Sequence, residues 1–222
     1  MRIPSTSSRE FKEAINSHDA QSVKKHLAEA VRLNPYQPYY NFYFVNKLID
    51  SRPNLSASSW QGLVGLLDHS IRLNPIEPDF YVYKAKCYRS LLALTGKVEF
   101  YTNVTASYED AIQVSPYNPF LRGEFAEFLK QSGHYAQALD QIHTALKLEP
   151  AYVNGYFLSA ETYYRSGDTD QARAAFQTGL DTATKYATFN IGPEDTYSRK
   201  LLNVNDSYKE RVKGLIFDGS KP

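Results

Sequence analysis

The chain has 222 residues, 42% of them apolar, with 25 basic and 24 acidic side chains and a formal charge of +1. That much apolar material excludes a disordered chain. The near-balance of charge argues against a nucleic-acid partner, whose phosphates need a basic surface. The single cysteine, Cys87, excludes an internal disulfide or a thiolate zinc cluster.

In chain order, Ser7 with Glu10 three residues on has the form of a capping box, after a frayed start over residues 1–6. The spacing of Phe11, Ala14 and Ile15 predicts a short helix, Asn16-Ser17-His18-Asp19 a turn, and Val23, Leu27 and Ala30 a second helix. The linker Leu33-Asn34-Pro35-Tyr36-Gln37-Pro38 then recurs as Leu73-Asn74-Pro75-Ile76-Glu77-Pro78 and as Val114-Ser115-Pro116-Tyr117-Asn118-Pro119. The first proline of each copy ends a helix, and the second suits the first turn of the next, where a missing N–H costs nothing. The boundary prolines Pro35, Pro75, Pro116 and Pro150 are 40, 41 and 34 residues apart. The surplus in the second unit reads as a loop from Arg52 and Pro53 to Ala57, with Ser56 or Ser58 capping a helix near Trp60. In the third unit the surplus reads as one extra turn in each helix, on either side of Gly96.

The fourth unit, 119–151, is the most regular. Numbered from Pro119 as slot 1, apolar or small residues fall at Phe125, Ala126, Leu129, Ala138, Ile142 and Ala145, which are slots 7, 8, 11, 20, 24 and 27. Gly133 lies between the halves, and Pro150 stops the second helix. The fifth unit repeats the pattern from Val153, with Ala160, Tyr163, Gly167, Ala172, Phe176 and Gly179, and Lys185-Tyr186-Ala187 extends its last helix. This pattern resembles the tetratricopeptide repeat, a helical hairpin of about 34 residues. The resemblance implies an all-α, right-handed superhelical solenoid of about five hairpins, over 4–37, 38–77, 78–118, 119–152 and 153–186. Beyond a break at Ile191-Gly192-Pro193, residues 194–215 read as a charged capping helix with Tyr197, Leu201, Val204, Tyr208, Val212 and Leu215 on one stripe, followed by a disordered tail.

Catalytic or metal chemistry finds no constellation in this sequence. His18, His26, His69, His134 and His143 form no ligand spacing, Cys87 reads as a partly buried helix residue, and Gly62-Leu63-Val64-Gly65 lacks the lysine of a phosphate loop. No enzyme, cofactor or metal is therefore expected. In tetratricopeptide proteins the first helix of each pair lines a concave wall, with slots 2, 5, 9 and 12 turned inward. Carried onto this sequence, the resemblance implies a binding groove of Tyr39, Phe42, Tyr43 and Asn46, then Val82, Tyr83, Lys86 and Arg89, then Phe120, Glu127 and Lys130, and finally Asn154, Phe157, Glu161 and Tyr164. Aromatic groups with scattered charges suit an extended peptide or a helix from a protein partner. Gly123 at slot 5 would leave a pocket in the groove floor.

The wording of the repeats, AVRLNPYQPYY and SIRLNPIEPDFYVYKAKCY, is also similar to the soluble C-terminal repeat tails of bacterial O-antigen ligase and polymerase-like membrane proteins. That likeness implies an extracytoplasmic, non-catalytic domain with a glycan or membrane-enzyme partner. No apolar run reaches the ~18 residues of a membrane span, and MRIPSTSSRE has no apolar core for a secretory signal. At face value the chain is cytoplasmic, with an extracytoplasmic domain excised from a membrane protein as the alternative.

Overall fold

The computed structural model describes residues 5–17, 19–50 and 54–218. The described residues are helical with no strand. The helices are α1 (Thr6–Asn16), α2 (Ala20–Leu33), α3 (Pro38–Asp50), α4 (Ala57–Leu73), α5 (Pro78–Thr95), α6 (Val98–Val114), α7 (Pro119–Gln131), α8 (Tyr135–Leu148), α9 (Val153–Ser166), α10 (Thr169–Tyr186), α11 (Thr196–Leu202) and α12 (Asp206–Phe217). From α1 to α10 they pack in consecutive pairs, one hairpin per sequence unit. The chain divides into two compact units, 1–116 and 117–222.

Local chemistry fixes most helix ends. The side chains of Asp19, Ser56, Asp168, Asp195 and Asn205 each accept a backbone N–H three residues on, filling an orphan donor of the first turn. Ser56, rather than Ser58, caps α4. At the N-terminus the cap is Ser5, which accepts from the Ser8 N–H, and not Ser7, which is buried inside α1. Gly133 and Gly167 take left-handed backbone angles (φ 79° and 93°). In both places the glycine N–H and the N–H after it bond back to carbonyls of the helix's last turn, as in Gly133 to Lys130 and His134 to Leu129. Gly96 ends α5 in the same conformation, and α5 and α6 run to 18 and 17 residues against 13 and 14 for α7 and α8. The surplus of the third unit is therefore helical, as its pattern predicts. His18, Arg52, Pro53 and the tail 219–222 lie outside the described residues.

Each unit has its own core. In 1–116, Phe42, Val45, Trp60, Leu63, Leu67, Phe80, Leu91 and Phe100 form one cluster, and Ala14, Val23 and Leu27 form another. Cys87 is fully buried rather than partly so, since it faces the α3–α5 core. In 117–222, Val153, Phe157, Ala160, Ala172 and Phe176 pack with Val212 and Ile216 of α12. Small residues at slots 8, 20 and 27 let the helices approach. Ala126, Ala138, Ala145, Ala160 and Ala172 are buried, and a Cβ on Gly179 would lie 2.9 Å from the Phe157 ring.

The C-terminal segment departs from the single predicted helix. Asn203, Val204 and Asn205 are not helical, and Asn205 caps a fresh start. The reason lies in α9: Asn154 donates to the Asn203 carbonyl (2.7 Å) and accepts from the Asn205 N–H (3.2 Å). These bonds tie down the backbone groups that a continuous helix would have used.

Candidate functional site

The groove implied by the sequence lies on α3 and α5 in the first unit and on α7 and α9 in the second. In the first, Tyr39 is exposed, and Tyr43, Asn46, Tyr83, Lys86 and Arg89 are half-buried. Asn46 of α3 donates to the Tyr83 hydroxyl of α5 at 2.8 Å, and the Lys86 ammonium stands 4.3 Å from the Tyr83 ring centre. Tyr39 donates to Glu77 at 2.9 Å. Phe42 and Val82, by contrast, belong to the interior. Phe42 sits among Tyr43, Phe80 and Tyr83 with ring centres 5.1–5.6 Å away, so it packs one hairpin on the next rather than facing outward.

In the second unit, most of the implied groove is covered by the chain's own C-terminal helices. Phe120 is buried beneath Tyr152 and Tyr197, with Lys200 over its ring at 4.4 Å. Phe157 is wholly enclosed by α10 and α12, where Val212 and Ile216 join its cluster. Tyr164 is half-buried beside that cluster. The slot-5 pocket at Gly123 is filled, because the Tyr152 hydroxyl lies 2.6 Å from where its Cβ would be.

The centre of this covered face is Glu161, 1% exposed. Its carboxylate accepts from Lys130 (2.5 Å), Arg165 (2.9 Å) and the Tyr208 hydroxyl (2.8 Å). It also accepts two parallel bonds from Arg211, at 3.0 and 3.1 Å. Lys130 in turn donates to the half-buried Glu127 at 2.8 Å. Burial pushes the Glu161 carboxyl up, but hydrogen bonds from Arg211 and Lys130, the Lys130 charge and the Tyr208 hydroxyl outweigh it and hold the group at about 2. Burial, and then the Glu161 charge, push the Tyr208 phenol well above its ordinary range, so it remains a donor.

Glu127, Lys130 and Glu161 thus meet in one ion-paired cluster, while Asn154 holds the 203–205 backbone, so these residues face the C-terminal helices instead of an open wall. Sequence reasoning misses Arg211 and Lys200, which lie off the apolar stripe. Tyr208 is on that stripe, but its partner on α9 leaves no local signal. Burial pushes the Cys87 thiol up to about 12, where it is neither nucleophile nor ligand. Among the described residues no group of histidine, cysteine and carboxylates could hold a metal, and no helix is long and apolar enough to cross a membrane.

Residues 129–188 match the family described as tetratricopeptide repeat. The TPR repeat-containing thioredoxin TTL4 of Arabidopsis thaliana is 33% identical over 73 residues, which are 33% of this chain and 11% of that protein. The crystal structure of MamA protein superimposes with a TM-score of 0.66 at 11% identity, over 86% of this chain and 98% of its own. YrrB, described as a TPR protein with an unusual peptide-binding site, does so with a TM-score of 0.55 at 12% identity, over 82% and 94%. The fold is that of tetratricopeptide-repeat structures, all α with the helices from α1 to α10 in consecutive packed pairs, and the family match itself covers 129–188. The resemblance to O-antigen ligase tails rests on the wording of the repeats alone.

Proposed function

We propose that the protein is a non-catalytic interaction scaffold that holds a peptide or helical segment of a protein partner against its inner helices. One observation carries this reading: the inner face of α9 already grips a helix, using a backbone clamp at Asn154 and a charged acceptor at Glu161. A surface that accepts a helix from its own chain has the chemistry to accept one from another. The tetratricopeptide fold and the peptide-binding site named for YrrB support the same class of function. In the first unit the residues suited to contact are Tyr39, Asn46, Tyr83 and Lys86, whereas Phe42 and Phe157 are core and unsuited to a binding test.

The test is site-specific photo-crosslinking in cells. A photoreactive amino acid replacing Tyr39 should capture a discrete protein partner, and one replacing Gln61 on the exposed side of α4 should not. Lys86→Glu should reduce the capture at least severalfold while the melting temperature holds. Equal capture from both positions, insensitive to Lys86→Glu, removes the inner-face reading.

A further inference from the structure

Two features distinguish the α12 site from a simple end cap. The first is that Glu161 is compensated from within the repeats, by Lys130 of α7 and Arg165 of α9, before α12 contributes anything. Withdrawing α12 leaves a carboxylate with Lys130 and Arg165 still on it, not an orphaned charge. The second is a division of labour. The Asn154 side chain bonds backbone groups of residues 203 and 205, a grip indifferent to sequence. Tyr208, Arg211, Val212 and Ile216 make the sequence-dependent contacts at i, i+3, i+4 and i+8, a single face of a helix. The segment 187–195, which joins α10 to α11, is exposed except for Ile191.

We propose that the inner face of α7 and α9 is a receptor site for a partner helix presenting a phenol and a guanidinium one turn apart beside two apolar residues, and that α12 is its tethered resident, displaced by such a helix. This deepens the scaffold reading and rests on it. Glu161 sets the chemistry, since a helix with a carboxylate at the Arg211 position would place like charges together in a buried site. Val153 and Phe157 set the rest, because they need apolar cover whichever helix is present.

The test uses the full chain and a fluorescent peptide of residues 203–218. In the Arg211→Ala chain the resident is weakened while every receptor residue is intact. The peptide should bind that chain about tenfold more tightly than the unaltered one, as relief from an internal competitor requires. A control peptide carrying Tyr208→Ala and Arg211→Ala should not saturate, and adding Asn154→Ala to the receptor should weaken binding of the true peptide. Equal affinity for both chains, binding to neither, or equal binding of the control peptide overturns the proposal. Hydrogen exchange on the unaltered chain gives a second reading should Arg211→Ala unfold. Amides of α12 should open at least about tenfold more often than those of α7 and α9. Exchange of α12 only with global unfolding makes it a fixed cap and overturns the proposal. A concentration-dependent dimer that exchanges α12 between copies does so too, by making a second chain the occupant. Partner capture at Tyr39 with no peptide binding leaves the scaffold reading standing and removes this one.

Discussion

Glu161 shows how one side chain can join three helices. It stands on α9, draws in Lys130 from α7, and receives Tyr208 and Arg211 from α12. Its removal leaves Lys130, itself 3% exposed, with Glu127 as its remaining carboxylate among these groups. Glu161→Gln should therefore cost about 3 kcal/mol, the order expected when a buried ion pair loses one partner. Urea unfolding followed by circular dichroism measures it, and a loss under about 1 kcal/mol would show the cluster to be well solvated. Cys87 makes the opposite case, a reactive residue type rendered inert. It is fully buried and its thiol is pushed up to about 12, so iodoacetamide should leave the native protein unmodified over hours and label it rapidly in urea. Fast native labelling, read by mass spectrometry, would mean that the α3–α5 core opens locally.

At the scale of the element, glycines in helices separate propensity from packing. Gly62 and Gly65 lie on the exposed face of α4 with nothing within 4 Å of a would-be Cβ. Gly62→Ala and Gly65→Ala should each raise stability by about 0.5–1 kcal/mol, because alanine gives up less backbone freedom. Gly179 of α10 earns no such gain: its Cβ would meet the Phe157 ring at 2.9 Å and the Tyr156 Cβ at 3.1 Å. Overpacking costs about 1–3 kcal/mol, so Gly179→Ala should be destabilising by about 1 kcal/mol despite the better propensity. Thermal melts of the three variants decide it, and a stabilised Gly179→Ala would show that Phe157 can move. The same contrast explains what was legible in the sequence. Hairpins are local objects, and the spacing of Ala126, Ala138 and Ala145, the turn at Gly133 and the stop at Pro150 suffice to place them. Which face α12 covers is not local. The pattern puts Tyr208 and Val212 on one stripe but is silent on whether that stripe meets α9 or α10, so the groove residues Phe120, Phe157 and Glu161 read as open when they are covered. Phe42 misleads for a related reason, since an inward slot and an inter-repeat contact have the same period. The break at 203–205 depends on hydrogen bonds to Asn154, some 50 residues away, and has no proline or glycine to announce it.

For the molecule as a whole, near-neutral charge leaves pH dependence to individual groups rather than to net repulsion. On the acid side, Glu161 is held at about 2 against an ordinary value of 4.5. A carboxyl lowered by folding contributes stability that is present above the ordinary value and is lost as pH falls through the folded one. On the alkaline side the chain carries 18 tyrosines. Burial raises Tyr152 to about 12, and Tyr81, Tyr88, Tyr101 and Tyr197 are raised in the same direction, again chiefly by burial. These groups keep their protons in the folded chain while the unfolded chain releases them near 10, so their contribution is complete below about 10 and falls as pH rises toward 12. The expected profile is a plateau from about pH 5 to 9 with a slope on each side, read as the urea midpoint against pH. Tyr152→Phe removes a group that cannot ionise in the fold without leaving its burial, so it should flatten the alkaline slope and leave the acid one alone. Glu161→Gln should flatten the acid slope, and on the alkaline side it should also lessen the rise of Tyr208, which the Glu161 charge helps to raise. A midpoint that drifts steadily across neutral pH would remove the buried phenols and the Glu161 carboxylate as the source of the pH dependence.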